Sequence, residues 1–308
     1  MSTLTYKIGY NYIQPTSLIT DTINFDAMKP LVGSSGSSYL YTVVGNSGVQ
    51  YNCYNNMNAT YNALLIGYST SNPQGIAVTS SIGKAKSVSI QWSDPTSTTA
   101  GATIEIYGSN TQYLSSRPAA YGISEGTLLG SLTYGGDPTV TQTFNITGDY
   151  YYIYLKGAVA NNYISKIEIT WEPASVPTEQ YRVQSVNFYS LGTTTLSTLP
   201  QHFTVGIMDA YVSTTSSTTY QAGQAYITMG SNRSVRFTPQ TGYTVHTITA
   251  ILSSTYLTYW RINTNTTPNS AFMPYTITNQ STGADYKYTR SSGSQGIYGL
   301  ELVYQVNS

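Results

Sequence analysis

Charge is scarce in this sequence. There are 13 basic and 13 acidic residues among 308, or 8%, against roughly a quarter in ordinary soluble domains. The basic residues stand singly, so the patch or stripe that marks a nucleic-acid binder is missing. The same gap argues against docking on an anionic membrane surface. Net charge is zero, a state that favours association. Cysteine is almost absent too. The single Cys53 excludes an internal disulfide, and its Tyr/Asn-rich surroundings lead us to expect an inert buried thiol. The two histidines, His202 and His246, both lie in strand-like contexts, and we expect ordinary imidazoles. No apolar run approaches the ~18 residues of a membrane helix. Residues 1–10 show no basic start followed by an apolar core, so no signal peptide is expected. The sequons at Asn145 and Asn265 then read as products of an Asn/Thr-rich composition.

Helical periodicity is missing as well, and what stands in its place is alternation. Val88, Ile90 and Trp92 share one face of residues 87–92, and Asp94-Pro95 ends that run because proline cannot donate to a ladder. Residues 103–108, 128–134, 150–155 and 164–171 repeat the pattern, punctuated by turns such as Gly135-Gly136-Asp137-Pro138. Short strands at this spacing predict a sandwich or jelly roll. After Trp171, residues 172–178 carry two prolines and read as a semi-rigid linker. New strand patterns follow at 181–188, 225–229, 234–237, 243–252 and 299–306.

The closing strands of the two halves are written alike. Ile167-Glu168-Ile169-Thr170-Trp171 and Leu300-Glu301-Leu302-Val303-Tyr304 each place an outward carboxylate between two inward aliphatics and end near an aromatic. We therefore expect an all-β protein of two tandem antiparallel sandwiches of jelly-roll type. Residues 19–172 form the first and 181–308 the second, with a linker over 173–180. Residues 1–18 form an arm or a first strand; their alternation of Tyr6, Ile8, Tyr10 and Tyr12 would also suit adding to another subunit's sheet edge.

Catalysis needs convergent titratable groups, and this chain is short of them. No Gly-x-Ser-x-Gly elbow, phosphate loop, EF-hand or Cys-x-x-Cys is present. A glycoside hydrolase needs two carboxylates within about 5–10 Å, and the acids here are dispersed. Asp137 and Asp149 sit in turns, where Asp serves the backbone. We expect no enzyme, no catalytic residue, no cofactor and no dedicated metal cage, although a calcium ion held by loop carbonyls would leave no motif.

The 31 tyrosines outnumber the charged residues. Tyrosine and tryptophan give large rigid contact area with a polar handle. Alternation forces half of each tyrosine run inward, so only loop clusters are candidates for surface recognition. These are Tyr51, Tyr54 and Tyr61, set among asparagines, and Tyr256, Tyr259, Trp260 and Arg261. Flat rings beside Asn and Gln would suit stacking on sugars.

One segment resembles a known kind of module. Ile104-Glu105-Ile106-Tyr107-Gly108-Ser109-Asn110, Gly126-Thr127-Leu128-Leu129-Gly130 and Ile167-Glu168-Ile169-Thr170-Trp171-Glu172 look like the strand, turn and final strand of carbohydrate-binding-type β-sandwich modules on surface proteins of gut bacteria. The resemblance covers about residues 85–172. In composition and architecture the whole chain also resembles head fibres, tail fibres and accessory capsid proteins of tailed phages infecting gut Bacteroidota. That resemblance implies a non-enzymatic virion protein that assembles in the host cytoplasm and docks on other virion proteins. It further implies a homo-oligomer such as a trimer, and contact with host surface glycans, without nucleic-acid binding or membrane insertion. The alternative is an adhesion module of a bacterial surface protein, located at the cell surface.

Overall fold

A computed structural model describes residues 17–24, 38–58, 63–67, 74–93, 100–118, 122–176, 181–188, 201–213, 218–221, 226–252, 257–263 and 274–307. The described residues form an all-β structure, as the alternation predicts, with a single turn of 3-10 helix at Leu257–Tyr259. Residues 1–16 of the expected arm, Tyr61 and Tyr256 lie outside the described residues.

The N-terminal strands are β1 (Ile19–Asn24), β2 (Ser38–Val44), β3 (Gln50–Asn58), β4 (Ala63–Ile66), β5 (Gly75–Val78) and β6 (Gly83–Trp92). They continue as β7 (Thr103–Ser109), β8 (Thr127–Thr133), β9 (Thr141–Asn145), β10 (Tyr152–Val159) and β11 (Asn162–Pro173). All belong to one hydrogen-bonded sheet of 11 strands. The connection between its two parts is β4. Strand β3 pairs with β5 through Tyr51–Tyr54 and with β4 through Asn56–Asn58, and β4 then passes the ladder to β11. One core of inward side chains from both parts fills the interior, including Tyr41, Tyr51, Val88, Ile90, Trp92, Ile104, Ile106, Ile167 and Trp171.

The C-terminal strands are β12 (Arg182–Asn187), β13 (His202–Val205), β14 (Met208–Val212), β15 (Thr218–Gln221), β16 (Tyr226–Gly230) and β17 (Arg233–Pro239). They continue as β18 (Tyr243–Leu252), β19 (Trp260–Ile262), β20 (Tyr275–Thr276), β21 (Ala284–Tyr288) and β22 (Ser294–Val306). Here the strands fall into two sheets. A 6-stranded sheet runs β15-β16-β22-β18-β20 with β12 on β22, and a 5-stranded sheet runs β13-β14-β17-β21-β19. A second core, sharing no residue with the first, takes Met229, Ile248, Leu300 and Leu302 from the 6-stranded sheet. From the 5-stranded sheet it takes Met208, Val235, Phe237, Trp260 and Tyr286.

The free face of the 6-stranded sheet lies against the N-terminal half. Leu40 of β2 and Tyr54 of β3 pack with Ile251 and Tyr298. Polar groups fix the register of this junction. Thr42 Oγ1 accepts from Ser185 N at 2.9 Å, and Gln50 Nε2 donates to the Val183 carbonyl at 3.1 Å. Gln112 Nε2 bridges the Thr79 and Tyr181 carbonyls at 2.8 and 2.7 Å. Ser116, on the connection after β7, donates its N–H and hydroxyl to Glu301 Oε2 at 2.9 and 2.6 Å. Buried polar groups are tolerated when they are hydrogen-bonded, and all of these bonds except that to the Thr79 carbonyl cross between the halves.

Candidate functional site

Of the three expected surface tyrosines that are described, Tyr51 and Tyr54 fall inside and Tyr259 does not. Tyr51 and Tyr54 stand on β3, three residues apart, and so face opposite ways. Tyr51 enters the N-terminal core, where its hydroxyl donates to the buried Asp21 at 2.6 Å, and burial first, then Asp21, pushes its pKa well up. Tyr54 enters the junction, where the Arg117 guanidinium lies 4.0 Å from its ring centroid. Trp260 is fully buried in the C-terminal core. These three are therefore interior residues, because strand pairing took up segments that read as loops. Arg261 is half-buried, its guanidinium donating to the carbonyls of Thr258 and Trp260 at 2.6 and 2.9 Å. Tyr259 is exposed, with Arg290 5.6 Å from its ring centroid. Cys53 is buried, and burial pushes its thiol far up, as expected of an inert cysteine.

Strand β10, which opens with Tyr152 and Tyr154, is buried on both faces, while Tyr150 and Tyr151 before it are half-buried. Ile153 and Leu155 enter the core, while Tyr152 and Tyr154 join Tyr113 and Ala77 in a separate cluster on the other side. The Tyr113 hydroxyl donates to the Glu125 carbonyl at 2.7 Å, closing the β7–β8 connection over them. Gly126 makes that closure possible: it sits at φ +88°, and a Cβ there would come within 2.5 Å of the Gly108 carbonyl.

Among the described residues, the outward side of the 5-stranded sheet is an open face. Strict alternation builds it. In β14, Met208, Ala210 and Val212 are buried while Asp209 and Tyr211 point out. In β17, Val235 and Phe237 are buried while Ser234, Arg236 and Thr238 point out. In β21, Ala284, Tyr286 and Tyr288 are buried while Asp285 and Lys287 point out. Pairing then sets four side chains in one row across four strands: His202 opposite Tyr211, Tyr211 opposite Arg236, Arg236 opposite Asp285. Directly opposed side chains stand about 4.5–5.5 Å apart at Cβ.

The geometry of the row is specific. The His202 and Tyr211 rings lie parallel, 15° apart in plane and 4.5 Å between centroids, which makes a two-ring platform on an exposed surface. Arg236 Nη2 is 3.6 Å from Asp285 Oδ2, while the second oxygen of Asp285 is buried and accepts no hydrogen bond. Asp209 flanks the row, accepting from Gln240 Nε2 at 3.1 Å and Thr204 Oγ1 at 3.3 Å. Beside the platform is a groove of about 440 Å3, walled by Ser213, Ser234, Arg236, Thr238, Ser281 and Asp285. Two local features hold Asp285 in place. Asn263, at φ +53°, takes the Asp285 N–H on its side chain and gives its own N–H to the Asp285 carbonyl, both at 2.8 Å. Gly283, at φ +58°, lets the preceding turn pass so close to β17 that a Cβ would run into the Phe237 carbonyl.

An aromatic platform beside convergent hydroxyls, one guanidinium and one carboxylate can stack on and hydrogen-bond to a polyol ring. It is less suited to hydrolysis. Asp209 and Asp285 stand on strands two apart and two residues out of register. That places their backbones roughly 12 Å from each other by strand and residue spacing, beyond the ~5–10 Å of a glycosidase pair. Among the described residues no group of three or more His, Cys, Asp and Glu is placed to hold a metal ion, and no helix is long and apolar enough to cross a membrane.

The sequence offered one partial signal for this face. His202 was visible as a strand residue, but its stacking on Tyr211 depends on pairing between β13 and β14. No family model matches this chain, and no curated protein is similar to it.

Proposed function

We propose that the protein is a non-enzymatic structural protein of a phage particle that contacts host-surface glycans through the outward face of its 5-stranded sheet. The observation that carries the glycan contact is the row His202–Tyr211–Arg236–Asp285 beside a 440 Å3 groove. Exposed stacked rings give apolar area for the flat side of a sugar, and the serine, threonine, Arg and Asp groups around them match its hydroxyls. A structural role is supported by the charge-poor, net-neutral, hydroxyl-rich composition, which allows subunits to associate without like-charge repulsion. The polar junction between the halves supports it too, since it holds the binding face at a set orientation to the rest of the chain. Other virion proteins and further copies of this chain are the partners such a role implies.

The same face also suits the second reading, an adhesion module at a bacterial surface. Mass spectrometry of purified particles separates the two: recovery of this chain at a fixed copy number per particle supports the virion role, and its absence refutes it. Glycan contact is tested independently by titrating host-surface oligosaccharides into the labelled protein and following amide and side-chain shifts. Shifts should centre on residues 202, 211, 213, 234, 236 and 285. Saturable shifts elsewhere, or none with any oligosaccharide, would refute the assignment of this face.

A further inference from the structure

Where the two halves meet, the outer side of β18 and β22 floors a second cavity, of about 210 Å3. Thr249 and Glu301, opposite one another in register, are 3% and 2% exposed and lie at its floor, next to Val303. Leu114, His246 and Ile123 wall it, and Ile123, 40% exposed, marks its mouth.

Glu301 is divided in its contacts. Its Oε2 accepts from Ser116 N, Ser116 Oγ and Ser185 Oγ at 2.9, 2.6 and 3.2 Å. Its Oε1 is buried and accepts no hydrogen bond. The Ser115 hydroxyl acts favourably on the carboxyl but makes no hydrogen bond of good geometry to Oε1. None of the ion pairs among the described residues includes Glu301. A buried acid without a counter-cation is expensive to ionise, and burial accordingly raises its pKa against the opposing effect of the serines. The other titratable groups on the cavity wall are His246, whose Nε2 is 3.0 Å from Gln305 Oε1, and Tyr181, whose ring meets the imidazole edge-on.

We propose that this cavity is a binding site for a primary ammonium group on a short aliphatic stem, which enters past Ile123 and sets its nitrogen against Glu301 Oε1. The shape of the acceptor selects this chemistry. One free carboxyl oxygen matches the point charge of an ammonium, whereas a guanidinium wants both oxygens of the fork. A hydrated divalent ion needs six or more oxygen ligands, and the surface lining this cavity is mostly apolar. A 150 Å3 apolar cavity holds benzene, so 210 Å3 accommodates a four-carbon stem with its head group. The ammonium supplies the missing counter-charge and leaves the serine cradle on Oε2 intact. Its source is either a free small amine or a lysine side chain of a partner protein.

The test uses the full chain and three probes: n-butylammonium, n-butanol and Nα-acetyl-lysine methylamide. Binding is read by chemical shifts of residues 114, 246 and 249 and by calorimetry in two buffers of different ionisation enthalpy. n-Butylammonium should bind at least tenfold more tightly than n-butanol. It should also release protons at any pH where Glu301 still holds its own, because the incoming charge ionises that residue; butanol should release none. Binding of the lysine derivative assigns the source to a partner's side chain, and its exclusion assigns it to a free amine. Equal binding of amine and alcohol, or no binding of the amine, would overturn the proposal. Glu301→Gln should abolish the preference. Should that variant fail to fold, Ile123→Trp, at the mouth, should block the amine, and unchanged binding there would also overturn the proposal.

Discussion

The two sheets of the C-terminal half share one core and differ in what covers their other face. The 6-stranded sheet is covered twice, and its central strands show it: Ile248–Leu252 and Leu300–Val303 are unbroken runs of buried residues. The 5-stranded sheet is covered once, and β14, β17 and β21 alternate between buried and open positions. Sheets buried on both faces read as continuous apolar runs, and half-solvated sheets as alternation. Polar residues therefore mean different things on the two sheets. On the covered face Glu301 is buried and its Oε2 is supplied by Ser116 and Ser185; on the open face Tyr211, Arg236 and Asp285 remain available to a ligand.

The comparison can be broken from the covered side first. Glu301→Ala leaves the Ser116 N–H buried without its acceptor and should cost about 2 kcal/mol in urea unfolding. Glu168→Ala, at the matching place in the N-terminal half, removes a partly exposed partner of Lys166 and should cost well under 1 kcal/mol. Equal losses would mean that the junction does not bury Glu301 as described.

Acidity sharpens the same contrast. The folded-state pKa of Glu301 is raised by burial. Below the ordinary glutamate range both folded and unfolded chains hold the proton. As pH rises through that range the unfolded chain ionises first, so this residue's contribution to stability falls until the folded carboxyl ionises too. The slope is at most about 1.4 kcal/mol per pH unit for one proton. Unfolding free energies between pH 4 and 7 should therefore fall more steeply in the wild type than in Glu301→Gln. Asp149, held low by Lys84, works in the opposite sense, adding stability that is lost as pH falls through its lowered pKa; it is exposed, so its effect is small. Parallel curves for wild type and Glu301→Gln would contradict the burial argument.

The open face should respond least. A double-mutant cycle on Arg236 and Asp285, 3.6 Å apart with the guanidinium half-exposed, should show a coupling below about 1 kcal/mol. A coupling of several kcal/mol would indicate that this row is structural rather than available.

The contrast also explains what the sequence made legible. Val88, Ile90 and Trp92, or Ile167 and Ile169, announce their strands because one buried face imposes a period of two. The burial of the lone cysteine was equally plain. The fate of Glu301 was not. Its strand reads like that of Glu168, and both carboxylates would be taken as outward from the local pattern alone. Only the docking of Ser116, 185 residues away in the chain, turns one of them into a buried group. Tyr51 and Tyr54 misled for the same reason: asparagines around them suggested a loop, while long-range pairing with β5 and β2 made a strand buried on both sides. The row on the 5-stranded sheet was hidden because it is a product of register across four strands, which no single segment encodes.

The central claim is that the open face, and Tyr211 within it, carries recognition. The most direct measurement is a glycan array probed with the wild type, Tyr211→Ala and Tyr259→Ala, each shown to unfold within about 0.5 kcal/mol of the others, as expected for exposed positions. The account predicts that the wild type and Tyr259→Ala bind the same glycans while Tyr211→Ala loses them. Retained binding by Tyr211→Ala, or loss on changing Tyr259 instead, would contradict it.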